Sequence, residues 1–153
     1  MTNLKLRLGV MAVFRNPESN LFLICERSDA TGAWQFPQGG MEKDESPQVA
    51  LYREMGEELG CDRFKILAES AEYISYVFPQ SLKTNIARRY CGQEQKWFLV
   101  EFEKGFRPDL SKGDGEFQNW KWDKAENILS NIVDWKKDSY IQGFKALGIP
   151  SYK

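Results

Sequence analysis

One segment of this 153-residue chain carries helix signals at both of its ends. Ser46 is a favourable N-cap residue, Pro47 suits the first helical position, and Gly60 suits the position just after the last turn. These signals predict a helix over residues 47–59. Strand-like stretches lie before and after it without regular alternation of strand and helix. The pattern therefore favours the α/β class, with a mixed sheet between helices, over a series of βαβ units.

The remaining elements are placed from hydrophobic periodicity and turn residues. Strands predicted at 6–14 and 21–26 are joined by the turn-forming segment 16–20, which predicts a hairpin. Residues 64–78 are rich in β-branched and aromatic side chains and supply one or two strands. Further strands are predicted at 34–37, 95–103 and 119–122, and helical spacing marks 125–132 and 140–147. Since no repeat or linker interrupts the chain, we expect one domain over residues 1–153.

Composition excludes several kinds of chemistry. Because the chain has no His, it has no Ser-His or Cys-His nucleophile pair, and proton transfer falls to carboxylates, Lys, Tyr or metal-bound water. Lys plus Arg number 21 against 22 Asp plus Glu, which argues against nucleic-acid binding by overall charge but allows local basic patches. The three cysteines are widely spaced and are expected to be free and buried. With no 18-residue apolar run, we expect a cytoplasmic protein without a membrane span.

The predicted helix carries an acidic stripe. Glu54, Glu57 and Glu58 fall within an arc of about 100°, because residues three and four apart share a helix face. The adjoining apolar arc is expected to pack against the sheet and leave these carboxylates outside the packing. Hard oxygen ligands without imidazole favour Mg²⁺ or Mn²⁺, whose charge would offset the repulsion within the stripe. Taken alone, the stripe also fits solvated surface charges.

The surrounding residues match a known motif. Gly39 is followed after five residues by Glu45, and after seven more by the segment 53–61, Arg-Glu-Met-Gly-Glu-Glu-Leu-Gly-Cys. This arrangement matches the Nudix box at every defined position, with Cys61 standing where an aliphatic residue is usual. The chain is identified by this resemblance as a member of the Nudix hydrolases, which cleave a nucleoside diphosphate linked to another group.

The resemblance implies a fold and a metal site. The Nudix fold is a mixed β-sheet sandwiched between helices, in which a loop-helix-loop holds the metal. Carried onto this chain, Mg²⁺ would bind the Gly39 carbonyl and the carboxylates of Glu54, Glu57 and Glu58, with Mn²⁺ able to substitute. Arg53 would act with these glutamates as part of the catalytic set, and Arg53 and Glu45 would orient them. Which glutamate is the general base stays open.

Further segments resemble the bacterial RNA pyrophosphohydrolase branch of the family. They are residues 34–40, 92–99, 116–117 and 120–122. By this resemblance Glu116 is an additional metal ligand or candidate base, Trp135 stacks on a base, and Lys136 lies near the phosphates. A second basic residue that some members carry after Arg27 is Ser28 here. Phosphate recognition is therefore expected to rely more on Lys5, Arg7 or Arg27. The full substrate-binding set implied by the resemblance is Lys5, Arg7, Arg27, Gln38, Gln95, Trp135 and Lys136.

Other interpretations stay open for the proposed residues that lie outside the motif at 39–61. Trp135 lies near Ile132 on a helical pattern and also fits plain core. Glu116 lies in a polar run and also fits loop charge. Residues 82–96 carry a local charge of +3 with aromatic neighbours, which suits an RNA 5′ end or a solvated loop equally.

The function expected from this resemblance is metal-dependent removal of pyrophosphate from 5′-triphosphorylated RNA, which leaves a 5′-monophosphate and initiates mRNA decay. The alternative is hydrolysis of dinucleoside polyphosphates or free nucleoside triphosphates. A non-enzymatic nucleotide sensor would normally have lost a motif glutamate, and none is missing. The oligomeric state stays open, a homodimer included.

Overall fold

A computed structural model describes residues 4–150. The strands are β1 (Lys5–Phe14), β2 (Leu21–Arg27), β3 (Trp34–Gln35), β4 (Gln38–Gly40), β5 (Phe64–Glu69), β6 (Ile74–Val77), β7 (Tyr90–Phe102) and β8 (Phe117–Lys124). The helices are α1 (Pro47–Leu59), α2 (Asn85–Arg89), α3 (Ala125–Asn131) and α4 (Asp134–Ala146), with a short 3-10 turn at Leu110–Lys112. Among the described residues, no helix combines the length and apolar character needed to cross a membrane.

The described strands form two sheets. The larger has the order β4-β1-β7-β5, with β6 also paired to β7, and is mixed because β1 and β7 run parallel while its other pairs are antiparallel. The smaller is antiparallel, with the order β3-β2-β8. The predicted α/β class is confirmed.

The predicted hairpin between the first two strands is wrong. Asn16 N does donate to Leu21 O across the turn at 2.9 Å, and Arg15 pairs with Phe22. Beyond that bridge the strands diverge into different sheets, because β4 and β7 hydrogen bond to the two edges of β1 while β2 pairs with β3 and β8. A strand has two edges, so β1 cannot also pair with β2 along its length.

Helix α1 has the predicted bounds. Ser46 Oγ accepts a hydrogen bond from Val49 N at 3.1 Å, which satisfies one of the free amides of the first turn. Gly60 ends the helix with φ of 67°, and a Cβ at this position would overlap the Asp109 carbonyl oxygen. Both the backbone angle and the close approach therefore require glycine.

The other elements extend or divide the predicted ones. Residues 64–78 form two strands, β5 and β6, while the stretches at 95–103 and 119–122 belong to the longer strands β7 and β8. Of the stretch at 34–37, only Trp34–Gln35 is a strand, β3, and the next strand, β4, begins just after the stretch. The two C-terminal helices are present as α3 and α4. The short helix α2 was not predicted, because its single turn exposes most of its side chains and carries no amphipathic pattern.

The core lies on both faces of the sheets. On one face, the side chains of β1 at 10, 12 and 14 pack with α1 residues such as Leu51 and Met55. On the other face, Met11 and Val13 pack with α3 and α4. Strand β1 thus contributes to both clusters, as its alternating side chains require.

The cysteines are free thiols, as predicted. Cys25 and Cys61 are buried, whereas Cys91, near the start of β7, is half-buried. Burial raises the pKa of the Cys25 thiol well above its ordinary value, and the nearby Glu58 adds to the shift. Cys25 therefore behaves as a small apolar residue.

Candidate active site

The site begins where β4 feeds α1. Gly39 pairs with Val10 of β1, and a Cβ at Gly39 would overlap the carboxyl group of Glu54. Glycine is therefore needed for the backbone of β4 to approach the helix carboxylate this closely. In the connecting loop, Glu42 N donates to Glu45 Oε1 at 2.8 Å, which fixes the Glu45 side chain under the helix.

Arg53 connects this loop to the acidic stripe. Its guanidinium donates to both oxygens of Glu45, at 2.6 and 2.9 Å, and to the Gly40 carbonyl at 2.8 Å. The same group donates to Glu54 at 3.1 Å and to Glu57 at 3.3 Å. The Arg53 hydrogen bond lowers the pKa of Glu45 to about 2, so this carboxylate stays charged. The arrangement is the one expected of residues that orient the helix glutamates.

Glu58 lies deeper than predicted. It is only 7% exposed, whereas the sequence placed it outside the packing arc. The reason is the segment 109–114, which covers the end of α1. Asp114 N donates to Glu57 O at 2.7 Å, and a Cβ at Gly113 would lie 2.6 Å from Glu58 O. Helical periodicity alone could not show this cover, because it comes from distant residues.

The buried Glu58 carboxyl is electrostatically unsatisfied. Its Oε1 has no hydrogen-bond partner within the described chain. Burial raises the pKa of Glu58 well above its ordinary value, and the carboxylates of Glu54, Glu116 and Asp114 raise it further. A buried carboxyl that has one oxygen without a partner and lies among other carboxyls is costly in its charged form unless a cation compensates it.

These features fit a divalent metal ion. The Gly39 carbonyl, Glu54, Glu57 and Glu58 could supply the hard oxygen ligands that Mg²⁺ prefers. Within residues 4–150, however, no three acidic side chains yet converge on one point, and Arg53 engages Glu54 and Glu57. Glu116 is close enough to Glu58 for its charge to raise the pKa of that carboxyl. The pKa of Glu116 is itself raised, first by burial and then by Asp114.

A cavity of about 100 Å³ has Glu116 in its wall. It gathers five of the residues that the sequence proposed for ligands or metal: Arg27, Gln38, Glu116, Trp135 and Lys136. The other residues of its lining are Gln35, Tyr76, Phe78, Leu82, Thr84, Ile86 and Gln93. Aromatic rings and cations thus share one cavity with Glu116, the carboxylate whose charge raises the pKa of Glu58.

Lys136 lies in the wall of this cavity. The residue is 4% exposed, and its Nζ donates to Gln35 Oε1 at 3.3 Å. Burial, with a smaller contribution from Arg27, lowers the pKa of this lysine to about 8. An ammonium group with one protein acceptor keeps donors available for an anionic ligand.

Trp135 is part of the cavity wall and is absent from both core clusters. It is half-buried, and its ring centroid lies 5.5 Å from that of Tyr76 and 5.9 Å from that of Phe78. The three rings form an aromatic surface suited to stacking against a planar base.

The other proposed ligand residues lie at different depths. Gln95 is 1% exposed and lies behind the cavity, where it donates to Gln38 Oε1 at 2.6 Å. Arg7 is half-buried and its guanidinium contacts Gly40 closely. Arg27 lines the cavity and forms an ion pair with Asp29 at 2.6 Å. Lys5 is exposed at the start of β1, outside the cavity lining.

Sequence reasoning missed several residues of the cavity. Gln35, Tyr76, Phe78 and Gln93 were not proposed as ligand residues. Tyr76 and Phe78 alternate along and just beyond β6, a pattern that a firmer strand assignment at 74–77 would have revealed. The Tyr76 hydroxyl is buried without a hydrogen-bond partner among the described residues, so it too is available to a ligand.

Comparisons with known proteins relate this chain to one family. The family model described as NUDIX domain matches residues 5–143. An RNA pyrophosphohydrolase of Helicobacter pylori (strain P12) is 37% identical over 145 residues, covering 93% of each chain. Nudix hydrolase 25 of Arabidopsis thaliana is 37% identical over 138 residues, covering 84% of this chain and 79% of that protein.

A solved structure shares the fold. The E. coli dihydroneopterin triphosphate pyrophosphohydrolase superposes with a TM-score of 0.67 at 18% identity, covering 92% of this chain and 97% of the other. At that identity the likeness shows the fold alone. The predicted Nudix fold, a mixed sheet between helices, is confirmed.

Proposed function

This chain belongs to the Nudix hydrolase family, and from that premise we propose that it removes pyrophosphate from the 5′-triphosphate end of RNA. The observation that carries the proposal is the cavity in which the rings of Trp135, Tyr76 and Phe78 lie with the cations of Lys136 and Arg27 and the carboxyl of Glu116. One planar base and the adjoining phosphates match this combination. The H. pylori relative named RNA pyrophosphohydrolase supports the same substrate class.

The proposed metal ligands are the Gly39 carbonyl and the carboxylates of Glu54, Glu57, Glu58 and Glu116. When bound there, Mg²⁺, or Mn²⁺ in its place, would supply positive charge against the negative charge that develops on the phosphate oxygens. Arg53 holds the loop through Glu45 and the Gly40 carbonyl, and its bonds to Glu54 and Glu57 keep these two carboxylates on one side of α1, from which they would turn to the metal.

The remaining chemistry is hydrolysis without a covalent enzyme intermediate. Water attacks a phosphorus of the triphosphate, one phosphoric anhydride bond breaks, and a carboxylate of the set accepts the proton of the water. Triphosphorylated RNA and water give monophosphorylated RNA and pyrophosphate, or two orthophosphates in successive steps. Lys136 and Arg27 bind the phosphates and exclude alternative positions of the reacting end. We place this activity in the cytoplasm, at the start of mRNA decay.

A substrate comparison tests the proposal. Purified protein with Mg²⁺ is assayed on triphosphorylated RNA, a diadenosine polyphosphate and GTP under one set of conditions. We expect the highest kcat/KM for the RNA. A higher kcat/KM for the diadenosine polyphosphate would assign the chain to dinucleoside polyphosphate hydrolysis instead.

The role of Trp135 is tested in the same assay. Trp135→Ala should lose about 1–3 kcal/mol of RNA binding, mainly as a higher KM, because stacking is similar in the ground and transition states. Trp120→Ala is the matched control, since Trp120 lies in a different cleft. An unchanged KM in Trp135→Ala together with a much lower melting temperature would assign Trp135 to packing.

A further inference from the structure

Four exposed cations gather beside the cavity. Lys83, Arg88 and Arg89 lie in and just before α2, and Lys5 pairs in register with Tyr90, the residue that follows Arg89. We call these four residues the α2 cationic surface. Within residues 4–150 none of the four forms an ion pair, and the Arg89 guanidinium stacks on the Tyr90 ring at 5.5 Å.

This surface is continuous with the wall of the cavity. The connection from β6 to β7, residues 78–89, contains both Lys83 and α2. In the same connection, Leu82, Thr84 and Ile86 line the cavity. Lys83 lies between two of these lining residues, and Arg88 and Arg89 follow Ile86 within α2. A molecule that enters the cavity therefore lies next to the α2 cationic surface when it leaves.

The cavity is too small to enclose more than one end of an RNA, so the rest of the RNA must leave it. Its volume of about 100 Å³ is well below the roughly 300–1,000 Å³ of pockets that enclose a whole ligand. It can hold only one end of an RNA, so the following nucleotides must lie on the protein surface.

A second cleft could also accept the RNA that leaves the cavity, in place of the α2 cationic surface. This cleft, of about 640 Å³ at the end of α1, also contains cations and the aromatic residues Trp120 and Phe106. Its charges are compensated, however. Arg63 pairs with Glu103 at 3.1 Å and Lys112 with Asp109 at 3.8 Å, while Asp62 adds a further carboxylate. A polyanion is therefore attracted more strongly to the uncompensated α2 cationic surface.

We propose that the α2 cationic surface binds the sugar–phosphate backbone of the RNA nucleotides that follow the 5′ end. The inference rests on the proposed function and adds a second contact region to it. Because the contacts are to phosphates, they do not depend on base sequence, and they favour long RNA over dinucleotides. Exposed Val77 and half-buried Tyr90 provide apolar surface for the bases beside these cations.

The test compares RNA lengths. Triphosphorylated RNAs of two and twelve nucleotides are assayed with the wild-type protein, with the triple variant Lys83→Ala, Arg88→Ala, Arg89→Ala, and with a matched control. The control, Arg63→Ala, Arg107→Ala, Lys112→Ala, removes three exposed cations from the cleft at the end of α1. We expect the α2 variant to raise KM for the longer RNA about tenfold, with the dinucleotide KM and both control values unchanged.

Salt dependence provides a second readout. Each lost phosphate contact on a single strand reduces the slope of log affinity against log salt by about 0.7, so the α2 variant should lose roughly 2 units of slope on the longer RNA. An unchanged slope and length preference would overturn the proposal and leave the surface to a protein partner. Equal losses on both RNA lengths would also overturn it, because the cations would then act at the reacting end.

The two hypotheses fail in different ways. Absence of turnover on both RNA lengths in the wild-type protein would contradict the proposed function itself. Turnover of both RNAs with no advantage for the longer one would leave the function standing and remove only the backbone contact.

Discussion

The buried carboxyl of Glu58 and the exposed one of Glu57 lead to a direct test of the metal site. Glu57→Gln or Glu58→Gln should lower kcat by roughly 10³-fold, because each removes a charged ligand while keeping the shape of the side chain. Glu58→Gln should not lower the melting temperature, since it removes an unsatisfied buried acid. Turnover is measured with Mg²⁺, and circular dichroism checks the fold. Near-normal turnover in either variant would remove the proposed ligand set.

Lys136 is expected to favour function at a cost in stability. Its pKa of about 8 in the folded chain lies below the value of about 10.4 expected in the unfolded chain. Between these values the unfolded chain binds the additional proton, so the free energy of unfolding rises as the pH rises from about 8 to about 10.4. Below pH 8 the full cost of the buried charge is present.

The variant Lys136→Met should therefore melt at a higher temperature than the wild-type protein at pH 7, and this gain should shrink by pH 9.5. The same variant should have a lower kcat on triphosphate substrates, because the cation that faces the phosphates is lost. The wild-type kcat should likewise fall above pH 8 as the lysine is neutralised. Lys137→Met, an exposed neighbour, is the control. A lower melting temperature for Lys136→Met at pH 7 would contradict the interpretation.

Some of these functional side chains could be identified from the sequence and others could not. The glutamates of α1 and the Trp135–Lys136 pair were identified from a local motif and a resemblance. Tyr76 and Gln93 were not, because each contributes through its neighbours in a sheet whose pairing brings distant segments together. The cover over Glu58 was missed for the same reason.

Helix α1 shows how well local signals define an element. Its caps are Ser46 and Gly60, and both act through contacts with residues close in sequence or through a backbone angle. The hairpin failed because the turn at 16–20 specifies a reversal of the chain and does not specify which strands then pair. Pairing is decided by burial across the whole sheet.

Two N-caps allow a matched comparison. Ser46→Ala should lower the free energy of unfolding by about 1 kcal/mol, because an amide of the first turn of α1 loses its acceptor. Thr84→Ala removes the equivalent bond to Ala87 N in α2, whose residues are not buried. Its effect on global unfolding should be smaller, since α2 can fray without exposing core. Urea denaturation measures both, and equal losses would contradict the assignment of α2 as a locally opening element.

The molecule as a whole is expected to unfold in one step. Strand β1 supplies side chains to the clusters on both faces of the sheet, so loss of either cluster exposes β1. Phe144→Ala in one cluster and Phe64→Ala in the other should each lower stability by about 3–5 kcal/mol. The midpoints from tryptophan fluorescence and circular dichroism should still coincide in each variant. Separate midpoints would show two folding units and would contradict the proposed single domain.

Because the three cysteines differ in burial, the wild-type protein can be labelled with a fluorescent dye at one preferred cysteine. A maleimide dye should react first at half-buried Cys91, because Cys25 and Cys61 are shielded by the core. Cys91 directly follows Tyr90, on which the Arg89 guanidinium stacks, so the dye would be attached one residue from the α2 cationic surface. Its emission would then report the arrival and departure of a long RNA in real time, separately from the chemistry at α1.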